Sequence, residues 1–457
     1  MTTESETRIL DALPSTLPDV DRRAVLPAGF RAAGRAIGIK ASGRPDLAVI
    51  LTTNGSAAAA GVFTSNAFAA APVTLTRANF AATSRDARGG FGLADAVICT
   101  SGCANAATGQ AGRDDQLEVA RLLAEVAGTT TERTVLLSTG VIGTRLPVDR
   151  IGAGLRAIRA DLGASDVALE DAATAFRTTD SVTKIATTTV DLPATNGGTV
   201  TVAVSGIAKG VGMIHPNMAT MLAVVLTDTA IEPAILWELL RPAAARTWNQ
   251  ISVDGDTSTN DTAIVLASGA AGNAPLEAGS AAARTLGRAI EAIARDLARQ
   301  QAADGEGATT LITCQVSGAT DDAGGRAVAR AVVSSSLVKA AVHGRDPNWG
   351  RIAGAAGNAK LPGRELLEAA GAQAATTRAG TAARVDPDRL RIAIGGHAVF
   401  DGTRGGPIPF DKEAARSAMD TPELLIRLDL GLGDGIGEAF GCDLTEQYVT
   451  ENSEYTT

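Results

Sequence analysis

The feature that most constrains this chain of 457 residues is an irregular succession of short β-rich runs and helical patterns. Runs such as "DLAVILTT" (46–53) and "ADAVICT" (94–100) are short, apolar and bounded by turn residues, which is typical of strands. Residues 114–128 instead place apolar side chains on one helical face and end at a glycine. Because strands and helices follow no strict β–α–β order, the pattern favours an α/β fold of the α+β type, with layered sheets covered by helices, over a doubly wound parallel sheet.

The other elements are predicted from the same two periodicities, and the length of the chain indicates two or three substructures. Further strands are expected at 71–76 ("APVTLT"), 133–143, 221–227, 261–268 and 310–316, as a pair within 184–206, and near 390–395 and 426–431. Further helices are expected at 147–176, 231–245, 280–300, 326–342 and 364–384.

Charge and composition exclude several classes of protein. A net charge of −9 and a pI of about 5.1 argue against nucleic-acid binding, which needs a basic surface. The uncharged stretches 47–76 and 210–227 are too rich in Thr, Asn, Gly and Pro for a membrane helix, and the N-terminus lacks the apolar core of a signal peptide. We therefore expect a soluble cytoplasmic protein whose cysteines stay reduced. These are Cys99, Cys103, Cys314 and Cys442.

Common catalytic and metal-binding motifs are missing from the sequence. The histidines His215, His343 and His397 lie near no GxSxG elbow and form no HExxH motif, which excludes the usual serine hydrolases and zinc proteases. "DGDTSTNDT" (254–262) lacks the sixth-position Gly and the twelfth-position Glu of a calcium loop, and no P-loop or dinucleotide fingerprint is complete. The prediction is that the protein has no metal and no resident cofactor.

Threonine chemistry is the alternative that remains. A threonine hydroxyl becomes a good nucleophile when it is the first residue of a chain, because its own α-amino group, with a pKa of about 7.7–8.0, then serves as the base. In "HPNMATML" (215–222), Pro216 restricts the backbone before it, and an Ala-Thr pair follows. By itself this dipeptide does not distinguish self-cleavage at the threonine from the ordinary start of a strand.

A series of motifs in a fixed order gives the sequence a specific resemblance. "GIAKGVGMIHPNMATML" (206–222) resembles the self-cleavage signature of the ornithine acetyltransferases, which are glutamate N-acetyltransferases of arginine biosynthesis. Other segments resemble the same family in the family's order, from about residue 26 to the end of the chain. They are "LPAGFRAAGRAIGIK", "GVFTSNAFAAAPV", "STGVIG", "RTTDS", "SVDGDTSTNDT", "DGEGAT", "HGRDPNWGRI", "GCDLTEQYV" and "ENSEYTT".

The resemblance implies a self-processed enzyme of the N-terminal-nucleophile type. After a polar extension (1–25), cleavage between Ala219 and Thr220 would divide the chain into an α chain (26–219) and a β chain (220–457). Thr220 would take an acetyl group from N-acetylornithine as an ester and pass it to glutamate, in an assembly of two α and two β chains. The resemblance leaves open whether acetyl-CoA also serves as a donor.

The family's site residues can be carried over by position. Thr139 and Gly140 of "STGVIG" match the oxyanion hole, with the hydroxyl of Thr139 and the backbone N–H of Gly140 as donors. The implied substrate contacts are Thr178, Lys209, Thr220, Glu306, Asn452 and Thr457. A lysine can pair with a carboxylate and a glutamate with an ammonium group, so we expect Lys209 to meet the substrate α-carboxylate and Glu306 a cationic group.

Some positions depart from the family pattern, and two alternatives stay open. Thr100 and Cys103 replace asparagines common in relatives, and Ser181 and Thr183 replace the more usual Thr and Pro, which bears on acyl or acceptor preference. The segment "HGRDPNWGR" (343–351) is expected to form a turn. The alternatives are an aminopeptidase-like hydrolase, in which water replaces glutamate, and an uncleaved binding protein without catalysis.

Overall fold

The computed structural model describes residues 9, 13, 15–84, 88–215 and 221–453. The strands in this part of the chain are β1 (Phe30–Arg35), β2 (Leu47–Thr52), β3 (Ala57–Phe63), β4 (Phe91–Ala94), β5 (Ala96–Cys103), β6 (Thr134–Val141), β7 (Lys184–Pro193), β8 (Thr199–Lys209), β9 (Leu222–Thr227), β10 (Ile251–Ser252), β11 (Thr262–Ala267), β12 (Leu311–Ala319), β13 (Arg391–Ile394), β14 (His397–Asp401), β15 (Gly406–Pro407), β16 (Glu423–Asp429) and β17 (Gly435–Cys442).

The helices are α1 (Ala71–Thr83), α2 (Gly109–Ala127), α3 (Val148–Ile158), α4 (Asp166–Phe176), α5 (Pro233–Arg246), α6 (Ala281–Ala303), α7 (Asp322–Ser334), α8 (Ser336–His343), α9 (Trp349–Gly357), α10 (Arg364–Ala369), α11 (Lys412–Ala418) and α12 (Glu446–Ser453). Short 3-10 turns lie at Thr131–Arg133, Trp248–Gln250, Gln373–Arg378 and Gly402–Arg404.

The strands form three mixed sheets. Their strand orders are β4-β3-β11-β9-β8-β7, β1-β2-β5-β6 and β10-β17-β12-β16-β13-β14-β15. Parallel pairs, such as β9 with β11 and β5 with β6, lie beside antiparallel pairs, such as β8 with β9. Because helices cover these mixed sheets, the predicted layered α/β class is confirmed.

The six-stranded sheet separates two hydrophobic cores. Ala223 and Val225 of β9 pack on one side, in the core that α5 and α6 complete. Leu222 and Val224 point to the opposite side, where α1 and α4 fill the space before the four-stranded sheet. Successive strand side chains alternate between faces, so the run of five apolar residues that opens β9 follows from burial on both faces. Both faces of the sheet are therefore buried where β9 begins.

The predicted strand at 71–76 is wrong, because these residues open helix α1. Pro72 stands in the first turn, where a helix does not need the missing N–H. Val73, Thr76 and Phe80 then recur at three- and four-residue intervals on the buried face, and the Thr76 hydroxyl donates to the carbonyl of Leu136 over 3.1 Å. The β-branched residues of this short run are typical of a strand when the run is read alone. The buried positions that follow, up to Phe80, show the helical period.

Some predicted long helices are interrupted by serine caps. The range 147–176 contains α3 and α4, and the side chain of Ser165 caps α4 by accepting from the N–H of Ala168. The range 326–342 is divided between α7 and α8, where Ser335 accepts from the N–H of Val338. In 364–384 only α10 and a 3-10 turn form. At Ser165 and Ser335, a side-chain oxygen that accepts from a free backbone N–H group starts a new helix.

The predictions for Gly128 and for the cysteines are confirmed. Gly128 ends α2 with φ of 69° and donates its N–H to the carbonyl of Ala124. All four cysteines are buried free thiols. In the described part of the chain, every helix is too short or too polar to cross a bilayer.

Candidate active site

A cavity of about 280 Å³ opens where β6 and β8 end and β9 begins. The structure brings to it the predicted site residues Thr139, Gly140, Thr178, Lys209, Glu306 and Asn452. The predicted Ala219, Thr220 and Thr457 lie outside the described residues. Met221, the covalent neighbour of Thr220, also lines this cavity. The name catalytic cavity is used for it below.

Thr139 and Gly140 form one wall of the catalytic cavity. Gly140 has φ of 131°, and a Cβ atom there would lie 2.3 Å from the carbonyl carbon of Gly102, so only glycine fits this close approach of β6 to β5. Lys209 donates from Nζ to Thr139 Oγ1 over 3.2 Å. Since the Thr139 oxygen accepts this bond, its own hydrogen stays available for an acceptor in the cavity.

Asp180 holds the neighbouring loop, and the sequence did not single it out. Its carboxylate accepts from Lys184 Nζ over 2.7 Å, from the N–H of Gly210 over 2.8 Å and from the N–H of Thr178 over 3.0 Å. Burial raises the pKa of this carboxyl, but the charges of Lys184 and Lys209 outweigh burial and hold the pKa well below its usual range. Asp180 thus fixes Thr178 and the residue after Lys209.

Glu306 is oriented from two sides at the other end of the cavity. Its Oε1 accepts from the Thr179 hydroxyl over 3.1 Å, and its Oε2 accepts from Asn452 Nδ2 over 3.0 Å. Gly212 leaves room for this carboxylate, because a Cβ there would lie 2.3 Å from Oε2. The last described helix, α12, therefore contributes to the cavity through Asn452.

Asn260 and Asp261 also line the cavity and were missed as individual residues, although they lie in the quoted segment 254–262. Asn260 Nδ2 donates to the carbonyls of Ala104 and Ser138 over 2.6 and 2.8 Å and so ties β6 to its surroundings. Asp261 is 2% exposed, and its Oδ2 has no hydrogen-bond partner among the described residues. Burial raises its pKa well above the usual value, against the smaller opposing effects of Ser258 and Lys209.

The same segment anchors the chain on both sides of residues 216–220. Asp254 accepts from the N–H groups of Met213 and Ile214 over 2.5 and 2.9 Å. On the far side, the N–H of Thr262 donates to the carbonyl of Met221 over 2.8 Å. In the described part of the chain, no group of three or more His, Cys, Asp or Glu could hold a metal ion. Asp254 serves as a backbone anchor, since the N–H groups of Met213, Ile214 and Asp256 all donate to its carboxylate.

Comparison with known proteins decides the family. The sequence model of the ArgJ family matches residues 31–457. The chain belongs to the ArgJ family. The arginine biosynthesis bifunctional protein ArgJ of Thermosynechococcus vestitus is 42% identical over 445 residues, which cover 94% of this chain and 96% of that protein.

Two solved ArgJ-family structures are similar to part of the chain. The arginine biosynthesis bifunctional protein ArgJ of Bacillus halodurans is 37% identical, covers 51% of this chain and 99% of its own, and superposes with a TM-score of 0.45. The ornithine acetyltransferase of Mycobacterium tuberculosis, complexed with ornithine, is 38% identical, covers 44% and 99%, and has a TM-score of 0.38.

The positions that depart from the family pattern, Thr100, Cys103, Ser181 and Thr183, do not line the catalytic cavity. Thr100 shares a 2.9 Å hydrogen bond with Ser138, beside the strand end that carries Thr139. Cys103 donates from Sγ to the carbonyl of Thr144 over 3.2 Å. Ser181 donates its backbone N–H to Asp304 over 3.1 Å. These contacts support the walls, and none of the three side chains lines the catalytic cavity.

Residues 343–351 lie away from this cavity. Arg345 has φ of 53°, and Asn348 caps α9 by accepting from the N–H of Arg351. The ring of Trp349 packs 4.9 Å from that of Phe400. The segment is a turn that leads into a helix, and its contacts are structural.

Proposed function

We propose that this ArgJ-family chain moves the acetyl group of N-acetylornithine to glutamate through an ester on Thr220. The observation that carries the proposal is the single cavity that gathers Thr139, Lys209, Glu306 and Asn452 beside Met221. The relatives named for arginine biosynthesis support the same activity. The enzyme is an acetyltransferase, and the assignments of individual residues below are part of the proposal.

In the first half-reaction, the hydroxyl of Thr220 attacks the acetyl carbonyl. Its proton passes to the free α-amino group of Thr220, whose ordinary pKa of about 7.7–8.0 suits a base near neutral pH. The Thr220 Oγ1–carbon bond forms, the amide C–N bond breaks, and the nitrogen of ornithine leaves with that proton. In the second half-reaction the amine of glutamate attacks the ester carbonyl and loses a proton to the same α-amino group. The new amide C–N bond forms, the ester C–O bond breaks, and Thr220 Oγ1 takes that proton to become a hydroxyl again.

Thr139 and Gly140 stabilise the oxyanion of both tetrahedral intermediates. Lys209 supports Thr139 in this role, because its N–H bond to Oγ1 leaves the Thr139 hydrogen for the oxyanion and increases its polarity. Loss of one such donor costs about 2.7–4 kcal/mol of transition-state stabilisation. Lys209 keeps further N–H donors for the substrate carboxylate.

Glu306 binds the cationic group of the substrate. Its two oxygens are fixed by Thr179 and Asn452, so the carboxylate is oriented before the substrate arrives. Thr178, held by Asp180, and Thr457 complete the proposed set of substrate contacts. Held donors and acceptors of this kind suit an amino-acid substrate that carries both charges.

Processing and assembly are parts of the same proposal. Cleavage between Ala219 and Thr220 gives the α and β chains, which assemble as two of each in the cytoplasm. The relatives are named bifunctional, and we propose that acetyl-CoA serves as a second acetyl donor, with no resident cofactor. The small-molecule partners are then N-acetylornithine, glutamate and acetyl-CoA.

Mass spectrometry of the purified protein after brief exposure to N-acetylornithine tests the proposal. The expected result is two chains that meet at Ala219 and Thr220, with one acetyl group on Thr220. Thr220→Ala should give a single unprocessed chain without acetylation. Release of ornithine at the same rate with and without glutamate would favour the hydrolase, and an uncleaved wild-type chain would favour the binding protein.

A further inference from the structure

A second cavity, of about 350 Å³, lies between α7 and the segment from Asn358 to Ala370. Arg326, Arg330, Lys360 and His215 line it, and its described lining residues differ from those of the catalytic cavity. The name basic cavity is used for it below. His215 is the last described residue before the segment 216–220, and Met213, two residues earlier, lines the catalytic cavity.

The charge of the basic cavity is opposite in sign to the net charge of the protein. The chain carries a net charge of −9, yet none of the described residues that line this cavity is acidic. The catalytic cavity, by contrast, is lined by two acidic residues, Asp261 and Glu306, as well as by Lys209. Three cationic side chains around one concave space attract an anion, because the low-dielectric walls concentrate their field.

Arg326 is the side chain in the basic cavity that most clearly favours an anion as the ligand. Its half-buried guanidinium makes no hydrogen bond or ion pair with any other described residue, and burial lowers its pKa. Of the acids close enough to affect it, Asp321 is paired with Arg378 and Glu291 with Arg246. The third, Asp322, accepts from the N–H of Ile436. A buried charge without a partner is costly, so a bound anion would stabilise this arrangement.

Gln250 adds a second requirement for a ligand. It lines the same cavity and is 7% exposed; its Nε2 donates to the carbonyl of Ala245, while its Oε1 has no partner among the described residues. A buried acceptor of this kind needs an N–H or O–H donor. Ala327, Leu366 and Leu367 supply an apolar wall beside it. The cavity thus combines cations, one open acceptor and an apolar surface.

We propose that the basic cavity binds a small metabolite that carries an oxyanion, either carboxylate or phosphate, together with an N–H or O–H donor. Arg326 contacts the oxyanion with its planar guanidinium, which matches the geometry of both groups, and Lys360 closes the exposed side. Gln250 receives the donor. The site is independent of the acetyl transfer proposed above, since it shares no described residue with the catalytic cavity.

Isothermal titration of the full purified protein with inorganic phosphate, and separately with succinate, tests the site. One probe binds once per chain, and the stronger of the two identifies the oxyanion. Arg326→Ala should raise its Kd at least about tenfold, Lys360→Ala about threefold, and Arg326→Lys by an intermediate factor, since a lysine lacks the bidentate fork. The matched control is Arg288→Ala, an exposed arginine on α6 that lines neither cavity.

Lys209→Ala separates this site from the catalytic cavity. Binding that survives in Lys209→Ala and is lost in Arg326→Ala supports the proposal, whether or not the protein transfers acetyl groups. Binding lost in Lys209→Ala but kept in Arg326→Ala would overturn it, as would absence of binding by both probes. The unfolding midpoints of Arg326→Ala and Lys360→Ala show whether each variant is folded, and either one suffices for the comparison.

Discussion

Two buried carboxyl groups, Asp261 in the wall of the catalytic cavity and Asp180 behind its lining residues Thr178 and Gly210, have opposite surroundings. Asp180 accepts from Lys184 and from the N–H groups of Thr178 and Gly210, and its pKa lies below the usual range. Asp261 has an oxygen without a partner among the described residues, and its pKa lies well above the usual value. Burial acts in the same direction on both groups, so the partners decide which form is stable.

Asp180 carries a charge that stabilises the fold, whereas the surroundings of Asp261 disfavour its charged form. The carboxylate of Asp180 completes a buried network with Lys184 and Asp304 and remains ionised. The carboxyl of Asp261 faces the catalytic cavity at a cost in free energy that grows when it ionises. The negative charge of Asp180 thus stabilises the loop beside the cavity, while ionisation of Asp261 would destabilise the cavity wall.

The largest effect is expected from Lys184→Met. The substitution leaves Asp180 and Asp304 buried without their cation, and breaking a buried ion pair from one side costs about 3–5 kcal/mol. Urea unfolding should show a correspondingly lower free energy of unfolding. Lys412→Met, at an exposed lysine, is the matched control, and equal losses in the two variants would refute the structural role of the buried network.

Asp180→Asn and Asp261→Asn should change the free energy of unfolding in opposite directions near pH 7. The first removes hydrogen bonds to a charged group and should cost about 2–3 kcal/mol. The second removes an ionisable group from a site that disfavours its charge and should raise the free energy of unfolding. The free energy of unfolding is measured for both variants and for the wild type between pH 3 and pH 8. A loss in both variants at pH 7 would contradict the contrast.

The free energies of unfolding of these two variants should also depend on pH in different ways. The low folded pKa of Asp180 adds stability above the unfolded pKa of about 3.9, and this is lost as pH falls towards the folded value. The deficit of Asp180→Asn should therefore shrink below about pH 4. The raised pKa of Asp261 adds stability at low pH that is lost as pH rises through the folded value. The gain of Asp261→Asn should therefore grow from about pH 4 upward.

The smallest effect is expected at the exposed edge of the cavity. Asn452→Ala removes one hydrogen bond from Glu306, and exposure to water limits its worth to about 0.5–1 kcal/mol. The KM for N-acetylornithine should then rise about two- to fivefold, with kcat nearly unchanged. Ser453→Ala, on the same helix but bonded only to the carbonyl of Thr450 among the described residues, should change neither constant.

Much of the fold could be predicted because its signals are local. The apolar run of β9 and the stop of α2 at Gly128 depend on neighbours within a few residues. The segment 71–76 could not be assigned in the same way, since its β-branched residues fit a strand. Its helical form depends on burial against β6, where Thr76 bonds to Leu136. Tertiary packing outweighs weak local propensity in such short runs.

The candidate site divides in the same manner. Thr139, Lys209 and Glu306 could be named from the sequence, because each lies in a contiguous motif that resembles the family. Asp180 lies beside one of these motifs, but its importance comes from Lys184, Gly210 and Asp304, which only the fold brings to it.

The sequence by itself determined the family and the layered α/β class of this protein, because those follow from motif order and local pattern. Only the tertiary structure decided that Asp180 and Asp261 differ in charge preference and that Arg326 faces a cavity with no acidic side chain among its described lining residues. The reason is physical: the free energy of a charge depends on burial and on partners, and both are set by residues distant in the chain.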